Sequence, residues 1–223
     1  MGSEYSSSFT VFTTNQIMQE IGRILRASTQ GFAFGSRAAQ LDIPYFGALV
    51  KAQANPDECI YGLLYNFNVD DDPLVRRLVL ADNLPPSAIE DQRNNRLLPV
   101  EMSVLSVGQR DGEKVTQGLP PRPPLNLDPV YLVDEVAEVK AFSDKLSYLR
   151  LVLKSAESGV PVDQLLVAHI RSIYALRGND NEWAMAVIQE VIELLRSNYE
   201  TLIPTLEALS EALPILSPLI DAA

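Results

Sequence analysis

The chain has 223 residues, enough for one large domain or two small ones, and its 47% hydrophobic and 21% charged content is an ordinary globular balance. Its formal net charge of −11 works against phosphate backbones and anionic lipid, whose affinity comes from Lys and Arg; the densest basic pair, Arg76-Arg77, follows three aspartates, Asp70 to Asp72. A single cysteine, Cys59, excludes an internal disulfide and the Cys-rich zinc patterns.

The start, Met-Gly-Ser-Glu-Tyr, lacks the basic end and apolar stretch of a secretory signal, and no run of about 18 apolar residues is present. Cytoplasm is the expected location. Met1-Gly2 with Ser6 fits an N-myristoylation start, but the pattern is short and a frayed terminus accounts for it. Residues 1–16 are expected to be flexible, with a short helix over Asn15 to Glu20 at their end.

Strand signals follow. Ile21 to Ala27 is aliphatic, and Gly31 to Ala38 carries Phe32 and Phe34 at period two. Tyr45 to Ala52 and Ile60 to Val69 are two more apolar runs, separated by the turn sequence Asn-Pro-Asp-Glu. Asp70 to Asn95 is polar and proline-broken, and reads as an excursion off the sheet with a short helix near Pro86 to Arg93. Leu98 to Val107 alternates, Asp111-Gly112 is a hairpin turn, and Glu113 to Gln117 returns as its partner. A proline-rich segment, Leu119 to Pro124, leads to a last strand at Val130 to Val133. Six or seven strands with little helix predict a closed barrel or small sandwich, since open edges invite aggregation.

The period then changes. Val139, Phe142, Leu146, Leu149 and Leu153 form a helical stripe from about Asp134 to Ser158-Gly159, where glycine suits a left-handed end. Pro161 opens a second helix with Leu165, Leu166, Ile170, Ile173 and Tyr174 on one face, ended by Gly178. Asn179 or Asp180 caps a third, with Trp183, Val187, Val191, Leu194 and Leu195 as its stripe, and Pro204 is expected to break or kink it. Thr205 to Leu213 forms a last piece before an apolar tail holding Pro214 and Pro218. The expected fold class is therefore α+β in two parts. A small closed β-barrel of about six strands (17–133) precedes an all-α helical bundle with a proline-containing tail (134–223).

The order of the barrel elements resembles a known family. Ile21-Gly22-Arg23-Ile24-Leu25, Phe46-Gly47-Ala48-Leu49-Val50 and Ile60-Tyr61-Gly62-Leu63-Leu64 are similar to the successive strands of the HAS barrel. That barrel is the N-terminal unit shared by HerA-type ATPases and ATP synthase catalytic subunits. Pro120 to Pro124 and Asp128-Pro129-Val130-Tyr131-Leu132 resemble its closing passage and last strand. The resemblance covers about residues 17 to 134. Asp128 departs from it, standing where a glycine precedes the last strand. A larger departure is that the chain contains no G-x-x-x-x-G-K-[ST], so the triphosphate cradle of those ATPases is missing. The resemblance implies a barrel for oligomer contacts or docking, detached from ATP hydrolysis.

Candidate chemistry is sparse. His169, the one histidine, lacks a Ser or Cys partner legible in the sequence, so a structural role is expected rather than general base catalysis. Cys59 has no basic neighbour close in sequence and reads as a buried thiol. Asp70-Asp71-Asp72 lacks the spacing of a calcium loop and reads as a solvated turn. Arg110-Asp111-Gly112 is accounted for by the hairpin. Leu119 to Leu125 carries a P-x-x-P register suited to an aromatic groove, and barrel closure explains the same prolines.

No catalytic residue, cofactor or metal site is predicted. The expected role is a non-enzymatic interaction or assembly module that self-associates or docks on a larger complex, such as a ring ATPase. The candidate partner interface is the apolar surplus Leu202, Leu206, Leu209, Leu213, Ile215, Leu216, Leu219 and Ile220, with an internal strap as the competing use. Two alternatives stand beside it. One is an enzyme or ligand-binding protein with a carboxylate site around Asp70 to Asp72 and Glu58. The other is a single-strand nucleic-acid binder stacking bases on Phe32, Phe34, Tyr45, Tyr61, Tyr65 and Phe67, which the net charge disfavours.

Overall fold

The computed structural model describes residues 19–213 except 38–43, 54, 70–72, 81–84, 88 and 91–98. Its strands are β1 (Glu20–Ala27), β2 (Gly31–Arg37), β3 (Leu49–Ala52), β4 (Glu58–Val69), β5 (Pro99–Asp111), β6 (Lys114–Gln117) and β7 (Pro129–Leu132). All pairings are antiparallel, in the order β2-β1-β7-β3-β4-β5, and β2 pairs with β5 to close a six-stranded barrel. β6 lies outside the ring, bonded to the far end of β5. Closure removes the open edges that six separate strands would present.

The helices are α1 (Pro73–Val79), α2 (Val136–Ser143), α3 (Leu149–Lys154), α4 (Val162–Leu176), α5 (Asn181–Leu195) and α6 (Tyr199–Ala212), with a 3-10 turn at Ser155–Ser158. The fold is therefore α+β with a closed barrel. α4 is central, touching α2, α3, α5 and α6. Among the described residues no helix is long and apolar enough to cross a membrane.

Strand alternation sends side chains to two cores. Ile24, Phe34, Val50, Leu64, Met102 and Val130 fill the barrel. Leu49, Tyr61, Leu63 and Val107 point the other way and join Phe142, Tyr148, Leu165, Ile170, Val187 and Leu209 in a second core shared with the helices. β3 is buried on both faces, which explains why it reads as an unbroken apolar run.

Several elements differ from the sequence expectation. β3 begins at Leu49 rather than Tyr45, because Phe46-Gly47 is a turn. Gly47 has φ +84, and a Cβ there would lie 2.8 Å from the Ala168 Cβ of α4. The hairpin turn is centred on Gly112-Glu113, one residue later than expected, with Gly112 at φ +57 in the position a type II′ turn reserves for glycine. α1 forms inside the stretch read as irregular, and Pro73 opens it where a missing N–H costs nothing. Residues 86–87 and 89–90 are helical as anticipated, whereas 15–18 lie outside the described residues and Glu20 already belongs to β1.

The predicted helix from Asp134 to Ser158 is divided into α2, α3 and the 3-10 turn. Gln117 of β6 stitches the break. Its Nε2 donates to the carbonyls of Phe142 and Lys145, both at 2.7 Å, and its Oε1 accepts from Ser147 Oγ at 2.6 Å and Tyr148 N at 3.0 Å. The end of one helix and the start of the next thus find partners in a single side chain. Pro204 does not end a helix: it lies within α6, and the break falls earlier, at Asn198, which caps α6 by accepting from Thr201 N. Gly159 and Gly178 are left-handed at helix ends, and Asp180 caps α5, all as expected.

Candidate functional site

His169 is fully buried in α4, against the Gly47 turn. The Gly47 carbonyl can only accept, so Nδ1 carries the proton and donates to it at 3.1 Å. Nε2 is then an acceptor for the Tyr148 hydroxyl, 2.9 Å away. Burial holds the imidazole down to a pKa of about 4, opposed in part by the Gly47 hydrogen bond. At neutral pH the ring is uncharged and both nitrogens are engaged, which is the arrangement of a structural pin. Burial also raises the Tyr148 hydroxyl above the ordinary phenol range, although Arg177 pulls it the other way.

A second polar chain crosses from barrel to helix. Lys51 on β3 is almost wholly buried and pairs with Glu138 of α2 at 2.6 Å. The other Glu138 oxygen accepts from the Tyr61 hydroxyl at 2.8 Å. Burial, with the neighbouring Cys59 and Glu138, pushes that hydroxyl above its usual range, so it stays protonated and donates. Rings link the two chains: Phe142 stands 4.9 Å from Tyr61 and 5.1 Å from Tyr148, which meets His169 edge-on at 5.5 Å.

Cys59 is buried, as expected. Strand register nonetheless places Arg110 directly across from it, a basic neighbour 51 positions away in sequence and invisible to a local reading. Both residues line a cleft of about 730 Å³ beneath the proline-rich passage, which Arg122 spans to Glu58 at 2.6 Å. Asp70, Asp71 and Asp72 lie outside the described residues. Among the described residues no group of three or more His, Cys, Asp or Glu could hold a metal ion.

The six candidate base-stacking aromatics are not assembled on one surface. Phe32 and Phe34 fill the barrel and Phe67 packs against that core; Tyr61 and Tyr65 belong to the second core. Tyr45 is more exposed, with its hydroxyl bonded to Ser172 Oγ. Of the candidate interface residues, Leu202, Leu209 and Leu213 are buried in the second core and Leu206 packs against it. Ile215, Leu216, Leu219 and Ile220 lie outside the described residues. The outward side of α5 and α6 shows Ile192, Tyr199 and Ile203 instead.

The passage into β7 exposes apolar side chains. Leu119, Leu125 and Leu127 point to solvent, the last two at 70% and 68% exposure. Leu127 has φ +70, a conformation costly for a residue with a branched side chain. It is held there from several directions. Leu127 N donates to Ile24 O at 2.9 Å, and Arg23 Nη1 donates to Leu127 O at 3.1 Å. Asp128, the residue standing in place of the expected glycine, accepts from Leu125 N at 2.8 Å through its carboxylate. Prolines on one side and these bonds on the other make a stiff loop tipped with leucine. Its prolines were legible in the sequence, but its exposure was not, because leucine ordinarily signals burial.

Comparison of the chain with known protein families gives no match. Comparison with curated proteins gives none either.

Proposed function

We propose that the chain is a non-enzymatic interaction or assembly module, a HAS-like barrel with a helical bundle, which self-associates or docks on a larger assembly such as a ring ATPase. The leucine-tipped loop carries this reading. It exposes apolar surface and retains a strained backbone at Leu127, two costs that folding by itself does not require. A loop already held in its bound shape loses little entropy on docking. The acidic balance of the chain fits a protein partner better than nucleic acid.

Sedimentation velocity on the full chain across micromolar concentrations tests the reading, alongside capture of binding proteins from lysate. Leu125→Ser with Leu127→Ser should weaken association while leaving the fold intact. Leu127→Gly is the sharper probe: relief of the left-handed strain should leave stability unchanged or raise it by about 0.5 kcal/mol, while association falls. A chain that is monomeric throughout, and that captures the same proteins with or without the leucines, overturns the proposal.

A further inference from the structure

Charge is spread unevenly over the helices. Residues 139–156, which end α2 and span α3, carry Lys140, Lys145, Arg150 and Lys154 in a chain of net charge −11. Asp144 is the one acid among them. It is bonded to the buried Arg177, as is Asp180, whose carboxylate also feels the charge of Lys140. All four cations are exposed, and none forms an ion pair among the described residues. The helix break gathers them. One amide, that of Gln117, bonds residues 142, 145, 147 and 148, so Lys145 sits between Lys140 in the last turn of α2 and Arg150 in the first turn of α3. Lys154 lies one turn beyond Arg150 on the same side of α3. Val136, Ala137 and Ala141, all exposed, continue this surface along α2.

The outward side of α6 is its opposite. Glu200, Glu207 and Glu211 fall on one stripe of the helix, with Ile203 between them and Tyr199 at its start. All five are exposed, and the three carboxylates have no ion-pair partner among the described residues. No Lys or Arg follows Arg196 in the sequence. Each surface therefore offers apolar side chains beside unpaired charge of one sign, and the two signs are opposite.

We propose that α6 of one copy of the chain docks on the α2–α3 surface of a second copy. Tyr199 and Ile203 meet Val136, Ala137 and Ala141, where the alanines let a helix approach closely, and the α6 carboxylates meet Lys140, Lys145 and Arg150. A second copy suits the basic surface better than nucleic acid or anionic lipid does. Those ligands would face the negative charge of the whole chain, whereas the chain itself carries the matching acidic and apolar face. Two different faces make a heterologous contact, so copies add head to tail. This contact rests on the self-associating form of the proposed function, and it uses a surface separate from the leucine-tipped loop.

Sedimentation velocity of the full chain at micromolar concentrations, in about 50 mM and about 300 mM salt, tests the contact. The wild-type chain should associate at low salt and about tenfold more weakly at high salt. Lys140→Glu with Lys145→Glu, and separately Glu207→Lys with Glu211→Lys, change only exposed side chains, and each pair should weaken association about tenfold. An equimolar mixture of the two variants should recover wild-type association, because each reversed face then meets a reversed partner and each native face a native one. Recovery also shows that both variants are folded. Wild-type association that is absent, insensitive to salt or not recovered on mixing overturns the proposal. Repeating the mixture with Leu125→Ser and Leu127→Ser in both variants separates this contact from the loop, and recovery on mixing should persist there. Association that is lost with the leucines and indifferent to the charge reversals overturns the α6 contact and leaves the loop reading standing.

Discussion

Inside the barrel, Ile24, Phe34, Leu64 and Met102 pack among other apolar side chains. On the outer face of the same wall, Lys51 and Tyr61 meet Glu138, and the Gly47 carbonyl meets His169, whose other nitrogen accepts from Tyr148, all through directed hydrogen bonds. The interior is held by burial, which is strong but indifferent to direction. Burial can close a barrel because strand pairing already sets the geometry. Helices laid on the outside have no such ladder, and an apolar face alone would let them slide or rotate. The polar pairs on this face demand particular distances, so they set where α2 and α4 sit. Groups of this kind contribute little net stability when complete and cost much when halved.

Truncation inside the barrel should have the largest effect. Phe34→Ala removes a fully buried ring and should cost about 4 kcal/mol, measured by urea unfolding. On the outer face, Lys51→Met leaves Glu138 without its cation and should cost about 3 kcal/mol. Adding Glu138→Gln keeps an acceptor for Tyr61 and should recover most of that loss, to within about 1 kcal/mol of wild type. If the double variant is as damaged as the single one, the pair is not the element that positions α2.

Acid should act on the outer face through His169. Folding lowers its pKa from 6.5 to about 4 because the charged ring would be buried. Between those values the unfolded chain binds a proton that the folded chain does not. The stability from this group is complete above about pH 6.5, declines below it, and is lost as pH falls through 4. At about 1.4 kcal/mol per pH unit, the loss reaches about 3 kcal/mol. Unfolding measured from pH 7 to pH 4 should show this slope, and His169→Asn, which keeps a donor for the Gly47 carbonyl, should flatten it. An equal slope in both proteins would assign the acid sensitivity to other groups.

The smallest effect expected here is at the helix break. Gln117→Ala removes four hydrogen bonds at once, but the groups it releases are partly reached by water, so about 2 kcal/mol is expected. Hydrogen exchange should then rise at Ser147 and Tyr148 before it rises in the barrel.

What the amino-acid sequence determined by itself is the set of features that depend on near neighbours. Alternation in β1, β2 and β4, the helical stripes of α4 and α5, the glycines at 112, 159 and 178, and the cap at Asp180 all express contacts or dihedral preferences within a few residues. The tertiary structure decided whatever depends on partners far along the chain. Gly47 sits in the turn before β3 at a point where Ala168, 121 residues away, leaves no room for a Cβ. Gln117 divides a helix whose own apolar stripe runs on unbroken. The register of β4 on β5 sets Arg110 against Cys59, and the second core draws in Leu202, Leu209 and Leu213 while Leu125 and Leu127 stay outside. A leucine carries no mark of which surface it will meet. Only the packing of the barrel against its helices separates those that fill a core from those left at the surface.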